Sequence, residues 1–293
     1  MSLAAGSPVG LPEPSRSLSS LDFRRFQSLI HRESGIHLTE AKRLLVEGRL
    51  ARRLRELDLD FQHYYRLVET DERERMHLLD CIATNETHFF REPRQFDFLR
   101  ETAFPEFYQE ASSGRRPRRF RVWSAGCSTG EEPYSVAMAF QDFFPPGSGF
   151  EIEITATDLS TRVLSRARSA VWPIEKAGEL PEPYLRKFML RGTGTSEGWI
   201  KASRELRTVV HFERLNLHGD ALPEGGPFDL VFCRNVLIYF DPAGKLRVLA
   251  RLLERLLPSG YLFLGHTETL LGQGALTRSV GPTVYAHSRR VPS

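Results

Sequence analysis

The feature that most restricts the fold is the succession of apolar runs beyond residue 119. FRVWSAG is a strand-length run ending on Gly126, EEPYSVAMAFQDFF has helical spacing, EIEITATD alternates, and LSTRVLSRARSAVW is helical again. FDLVFCRNVLIYF holds a central strand. DPAGKLRVLARLLERLLPSG is an amphipathic helix with Asp241 as cap, Pro242 in the first turn and Gly260 at the end, and YLFLGH is a further strand. Strands alternating with helices form a mostly parallel α/β sheet with right-handed crossovers. Residues 184–217 interrupt the pattern with short polar–apolar stretches and the turn RGTGTSEG, which reads as a small antiparallel β-subdomain inserted over about 184–214.

Upstream, residues 21–100 are helical in pattern. LTEAKRLLVEGRLARRLREL places Val46, Leu50, Leu54 and Leu57 on one face, with Asp22 and Thr39 as candidate caps of the first two helices. The expected organisation is a disordered tail over 1–17, an all-α domain over 18–90, a linker over 91–119 that includes ASSGRRPRR, and an α/β domain over 120–293. The 293 residues suffice for two domains, and 40 Lys+Arg against 37 Asp+Glu leave a net charge of +3 that demands no nucleic-acid partner. No apolar run approaches the roughly 18 residues of a membrane span. Cys81, Cys127 and Cys233 form no CxxC or Cys/His pair, so neither a disulfide framework nor a metal site is expected. The leading MSLAAGSPVGLPEPSRS lacks the pattern of a signal peptide, which makes the cytoplasm the expected location.

Four stretches carry candidate chemistry. In WSAGCSTGEEPYS, Gly126 and Gly130 permit a tight turn between strand and helix, and Glu131 and Glu132 follow at once. Carboxylates there repel a phosphate, which disfavours a dinucleotide. They attract an ammonium group such as that of S-adenosylmethionine (SAM), or else complement the helix dipole. Asp158 ends the next strand, where an acid either accepts from ribose hydroxyls or caps the following helix. TNETHFFRE carries Asn85, Thr87 and Arg91; a guanidinium there suits a ligand carboxylate, and a surface arginine beside a capped turn is the plainer alternative. CRNVLIYF ends a strand at the carboxyl edge of the sheet, with Asn235 and Tyr239 as polar tips in an apolar run.

Together, TNETHFFRE, VWSAGCSTGEEPYSVAM, ATDLSTRVLSRA, FERLNL, FDLVFCRNVLIYF and LFLGHTETL resemble the CheR-type chemotaxis receptor methyltransferases, in order and over most of residues 20–287. The resemblance implies a class I, Rossmann-like SAM-dependent methyltransferase domain with a small antiparallel β-subdomain, preceded by an all-α domain. It implies a bacterial protein-glutamate O-methyltransferase that converts glutamate side chains of chemoreceptor helices to methyl esters and releases S-adenosylhomocysteine, without a metal. Carried over residue by residue, Asn85, Thr87 and Arg91 contact SAM, with Arg91 on the methionine carboxylate. One of Glu131 and Glu132, with Glu131 favoured, holds the methionine amine, and Asp158 holds the ribose. Asn216 and Leu217 flank the adenine, Arg234 and Asn235 complete the pocket, and Tyr239 lies near the transferring methyl. Tyr239 and Arg91 are the expected catalytic groups.

Lys42, Arg49 and Arg53 fall within about 40° of one another on a helix. With Arg52, this basic stripe is the expected dock for acidic receptor helices. RGTGTSEG resembles the turn of members that tether a receptor's C-terminal peptide by strand addition. A monomer is expected. The competing function is a SAM-binding, receptor-docking module without turnover. A nucleic-acid methyltransferase is disfavoured, because neither (D/N)PP(Y/F/W) nor a catalytic Cys–Pro occurs.

Overall fold

A computed structural model describes residues 17–219, 221–268, 270 and 277–288. The tail expected over 1–17 lies, except for Ser17, outside the described residues. The chain divides into two compact units: residues up to 32 with 37–82, and residues 33–36 with 83 onward.

The first unit is helical: α1 (Ser20–Ser34, up to Arg32), a 3₁₀ turn Glu40–Lys42, α2 (Arg43–Leu57), α3 (Phe61–Thr70) and α4 (Glu72–Ile82). The backbone N–H of Asp22 donates to Ser19 Oγ at 3.1 Å, so Ser19 caps α1 and Asp22 sits in its first turn. Thr39 makes no side-chain capping bond, because the 3₁₀ turn intervenes before α2. Asp60 caps α3 through His63 N at 2.8 Å. Phe23, Phe26, Val46, Leu50, Tyr64, Val68 and Leu78 are buried. Among them lies a charged cluster: Arg53 donates to Glu74 Oε1 at 2.8 Å and Oε2 at 2.5 Å, and the Tyr64 hydroxyl donates to Glu74 Oε1 at 2.9 Å. The Arg53 hydrogen bonds hold the Glu74 carboxyl below its ordinary range, and burial pushes the Tyr64 phenol up.

The second unit opens with α5 (Pro93–Phe98), a π-helical turn Leu99–Ala103 and α6 (Phe104–Ser112). The expected linker over 91–119 is therefore largely helical. Phe96, Leu99, Phe104 and Phe107 are buried in the main core, and Pro93 and Pro105 stand in first turns, where proline is tolerated. The chain continues through β1 (Arg119–Ala125), α7 (Glu131–Phe143), β2 (Glu151–Asp158), α8 (Thr161–Ser169), β3 (Val171–Pro173), α9 (Glu182–Phe188), β4 (Met189–Arg191), β5 (Trp199–Ala202), α10 (Arg204–Val209) and β6 (Val210–Arg214). It ends with β7 (Phe228–Cys233), α11 (Pro242–Glu254), β8 (Leu256–Leu264), β9 (Thr277–Gly281) and β10 (Val284–His287).

Among the described residues, seven strands form one sheet in the order β6-β2-β1-β7-β8-β10-β9. The first five are parallel neighbours, and β10 is antiparallel to both β8 and β9. Alternate residues of β1 serve two faces. Phe120 and Val122 pack with Phe104 and Phe140, while Trp123 and Ala125 pack with Leu249 and Leu252 of α11. A separate antiparallel sheet has the order β3-β5-β4. The insertion expected over 184–214 is corrected at both ends: it takes in Val171–Pro173, and β6 belongs to the large sheet, paired with β2. The chain reached β3 early because Ala170, at φ +53°, ends α8.

Candidate functional site

Registers Ala125↔Thr157, Asp158↔Arg214 and Cys233↔Leu264 bring the loops after β1, β2, β6, β7 and β8 to one edge of the sheet. Between β1 and α7 the backbone turns through left-handed Gly126, Ser128 and Gly130. A Cβ on Gly126 would lie 2.4 Å from Val236 Cγ2, so only glycine fits. Gly126 N and Cys127 N donate to the Thr157 carbonyl at 2.8 and 2.9 Å, and Ser128 N donates to Asp158 Oδ2 at 2.9 Å. The other Asp158 oxygen accepts from Ser160 N at 2.9 Å, while Ser160 itself caps α8. Asp158 therefore fastens two loops at the rim whatever else it holds.

These loops enclose a cavity of about 230 Å³ lined wholly by the second unit. Asn85, Thr87, Arg91 and Glu132 line it, as do Asp158, Asn216, Leu217, Arg234, Asn235 and Tyr239; Glu131 does not. The structure thus puts Glu132, and not the favoured Glu131, on the cavity wall. Glu131 turns to Thr129 Oγ1 at 2.6 Å and Lys176 Nζ at 3.5 Å. Lys176 also donates to the Thr87 carbonyl at 2.8 Å and pairs with Glu179, whose other oxygen accepts from Phe89 N, so this group ties down the TNETHFF segment. Glu132 accepts from Ser124 Oγ at 2.7 Å and faces Arg234 Nη1 at 3.4 Å. Arg234 is buried, lies 3.5 Å from Glu92, and donates to the Arg91 carbonyl. Burial pushes the carboxyls of Glu131 and Glu132 above their ordinary range; Thr129 opposes this at Glu131 and Arg234 at Glu132.

Asn85 Nδ2 and Asn235 Oδ1 are buried without a hydrogen-bond partner among the described residues, which leaves one donor and one acceptor for a ligand. Asn216, in contrast, spends its amide on the chain: Nδ2 donates to the Glu33 carbonyl at 2.7 Å and Oδ1 accepts from His218 N at 3.0 Å. It serves as wall beside Leu217. The Tyr239 hydroxyl donates to the Thr84 carbonyl at 3.3 Å, and Arg91 Nη1 to Glu86 at 3.4 Å.

The basic stripe lies in the first unit and is partly spent there. Arg53 is held by Glu74, Arg49 donates to the Ile82 carbonyl, and Arg52 and Lys42 stay exposed, Arg52 paired with Glu56 at 2.9 Å. Three further contributors were not among the site residues expected from the sequence. Ile36 reaches the cavity through a bridge to Phe240. His88 lines the cavity, its imidazole pKa lowered by burial and the nearby Arg91. Glu268 bonds backbone amides behind Asn235. His88 and Glu268 lie inside the motifs TNETHFFRE and LFLGHTETL, whereas nothing in the sequence marked Ile36.

A parallel sheet with an antiparallel strand set inside its far edge, and a crevice at the carboxyl ends where open α/β sheets hold ligands, is the Rossmann-like arrangement expected of the SAM-dependent methyltransferase class that the sequence resembles. Residues 21–83 match the family model described as the CheR methyltransferase all-alpha domain, residues 85–286 match that of the CheR methyltransferase SAM binding domain, and the chain belongs to this family. It is 40% identical over 276 residues to a chemotaxis protein methyltransferase of Escherichia coli, covering 93% of each chain. It is 39% identical over 270 residues to chemotaxis protein methyltransferase 2 of Pseudomonas aeruginosa, covering 90% of this chain and 92% of that one. SAM is the methyl donor. The cavity lining is compatible with it: a carboxylate (Glu132), a guanidinium (Arg91), two residues with an unpartnered amide atom (Asn85 and Asn235) and apolar side chains. Among the described residues no cluster could hold a metal, and no helix is long and apolar enough to cross a membrane.

Proposed function

We propose that the chain methylates glutamate side-chain carboxylates on the cytoplasmic helices of bacterial chemoreceptors, giving glutamate methyl esters. The names of its relatives as chemotaxis protein methyltransferases support this reading. The observation that carries it is the pairing of Glu132 and Arg91 on one cavity with the orphaned Asn85 and Asn235 amides. When bound, SAM supplies an activated methyl on a sulfonium. Glu132 takes the ammonium and Arg91 the carboxylate, Asp158 the ribose hydroxyls, and Leu217 with the Asn216 backbone the adenine. The substrate carboxylate is ionised at neutral pH, so no general base is needed. The chain's contribution is alignment and exclusion of water. Tyr239 orients the reacting groups from the rim.

Incubation with labelled SAM, receptor fragment and DNA tests the proposal. Base-labile methyl on the receptor is expected; base-stable label, or label on DNA, would overturn it. Tyr239→Phe should lower kcat roughly tenfold or more while leaving the affinity for S-adenosylhomocysteine within about twofold, because alignment rather than binding is lost. Equal losses in turnover and calorimetric affinity would remove this role from Tyr239.

Docking falls to the exposed cations. Lys42→Glu with Arg52→Glu should lower kcat/KM on acidic receptor helices several-fold and flatten its salt dependence, with kcat little changed. An unaltered salt profile would mean that the stripe is only solvated. The small sheet, with Leu190 and Trp199 exposed, is the surface on which a receptor C-terminal peptide would add as a strand.

A further inference from the structure

We propose that Glu268 is a positioning residue for methyl transfer: its carboxylate fixes the turn that carries Asn235 and Tyr239. The inference rests on the ligand reading of the cavity given above. Glu268 stands in the turn after β8 and is 5% exposed. Its Oε2 accepts from Asn235 N and Gly265 N, both at 2.8 Å, and its Oε1 accepts from Ile238 N at 3.3 Å. Three backbone donors thus converge on one buried carboxylate. A neutral amide replaces it only in part: its oxygen can accept from Asn235 N and Gly265 N, but without the negative charge, and its nitrogen, itself a donor, would face Ile238 N.

The turn so held runs through Asn235 at φ +58°, a left-handed conformation that asparagine tolerates better than most residues but does not adopt uniquely, so a partner for its amide helps to fix it. Glu268 enforces it from the next strand over, since Cys233 of β7 and Leu264 of β8 stand in register. Gly265 completes the clasp. A Cβ there would lie 2.7 Å from Asn235 Nδ2, 2.8 Å from Asn235 N and 2.8 Å from Glu268 Oε2, so the absence of a side chain at 265 is what lets carboxylate and turn meet. Asn235, which lines the cavity, is therefore held by an acid that does not line it.

Calorimetry with S-adenosylhomocysteine, melting temperature and turnover at saturating SAM, all on the full chain, test the assignment with E268Q, G265A and D229N. Asp229 is the control: a buried acid that accepts from Arg121 N at 2.7 Å and pairs with Arg116, away from the cavity. E268Q should raise the dissociation constant roughly tenfold, the loss of one charge-assisted set of bonds, and lower turnover as well. G265A should do the same without touching the charge. D229N should melt lower and bind as the wild type does. Wild-type affinity in E268Q and G265A, or an equal loss in D229N, overturns the proposal. If E268Q does not fold, G265A decides alone. Failure of the wild type to bind overturns the cavity reading itself, which is a different result from binding that E268Q leaves unchanged.

Discussion

Glu132→Gln is expected to weaken S-adenosylhomocysteine binding about a hundredfold, and Glu131→Gln by no more than a few fold. The two acids are adjacent, yet only Glu132 lines the cavity, with Arg234 at 3.4 Å behind it. Removing its charge takes away an ion pair with the ligand's ammonium in a site shielded from water, worth about 3 kcal/mol at about 1.4 kcal/mol per tenfold. Glu131 faces Thr129 and Lys176, so its loss should show first in stability, through the Lys176 contact with the TNETHFF segment. Titration calorimetry on both variants decides; equal or reversed losses would show that the ammonium is held elsewhere. A pH signature accompanies the effect. Burial raises the Glu132 carboxyl in the free protein, and only its ionised form pairs with an ammonium. Affinity should therefore fall as pH drops through that raised pKa, while E132Q shows no such fall.

Arg53→Glu is expected to destabilise the helical unit by about 2 kcal/mol, below the range for breaking a fully buried ion pair because Arg53 is half-buried, with like-charge repulsion added. Glu74 would lose its two hydrogen bonds to Arg53 and meet a like charge in their place. Urea denaturation followed by helical dichroism measures the loss, and the double exchange Arg53→Glu with Glu74→Arg should recover part of it. A single variant as stable as the wild type would mean that the pair contributes nothing. In the native chain the Glu74 carboxyl is held low, so the stability it contributes is present above the ordinary carboxyl pKa of about 4.5 and is lost as pH falls through its folded value. Arg53 thus cannot report on receptor docking: loss of methylation in R53E would reflect a damaged helical unit. Lys42 and Arg52 can.

What the sequence made legible was local. Periods of 2 and 3.6 gave β1, β2, β7 and their helices, and the GCSTG turn was placed because glycine there has a backbone reason. The long-range terms were hidden. Glu74 lies 21 residues from Arg53 on another helix, so the stripe looked like free surface. Glu131 and Glu132 differ by about 100° around a helix axis, and which one faces the crevice depends on the phase set by left-handed Gly130 and on the Ser124 contact. Pro93 and Pro105 start helices within the stretch expected as a linker. Val236–Phe240, strand-like in composition, contains a 3₁₀ turn at Leu237–Tyr239, because Glu268 takes the amides of Asn235 and Ile238.

Residues 33–36 have a practical consequence for dissecting the molecule. They fold with the second unit although almost fifty residues of the first separate them from residue 83. Cutting at the apparent boundary near 83 would leave the Asn216 amide without the Glu33 carbonyl and the Phe240 backbone without Ile36. A catalytic fragment designed that way would be missing one side of its own binding cleft, and poor activity in it would measure the cut rather than the enzyme.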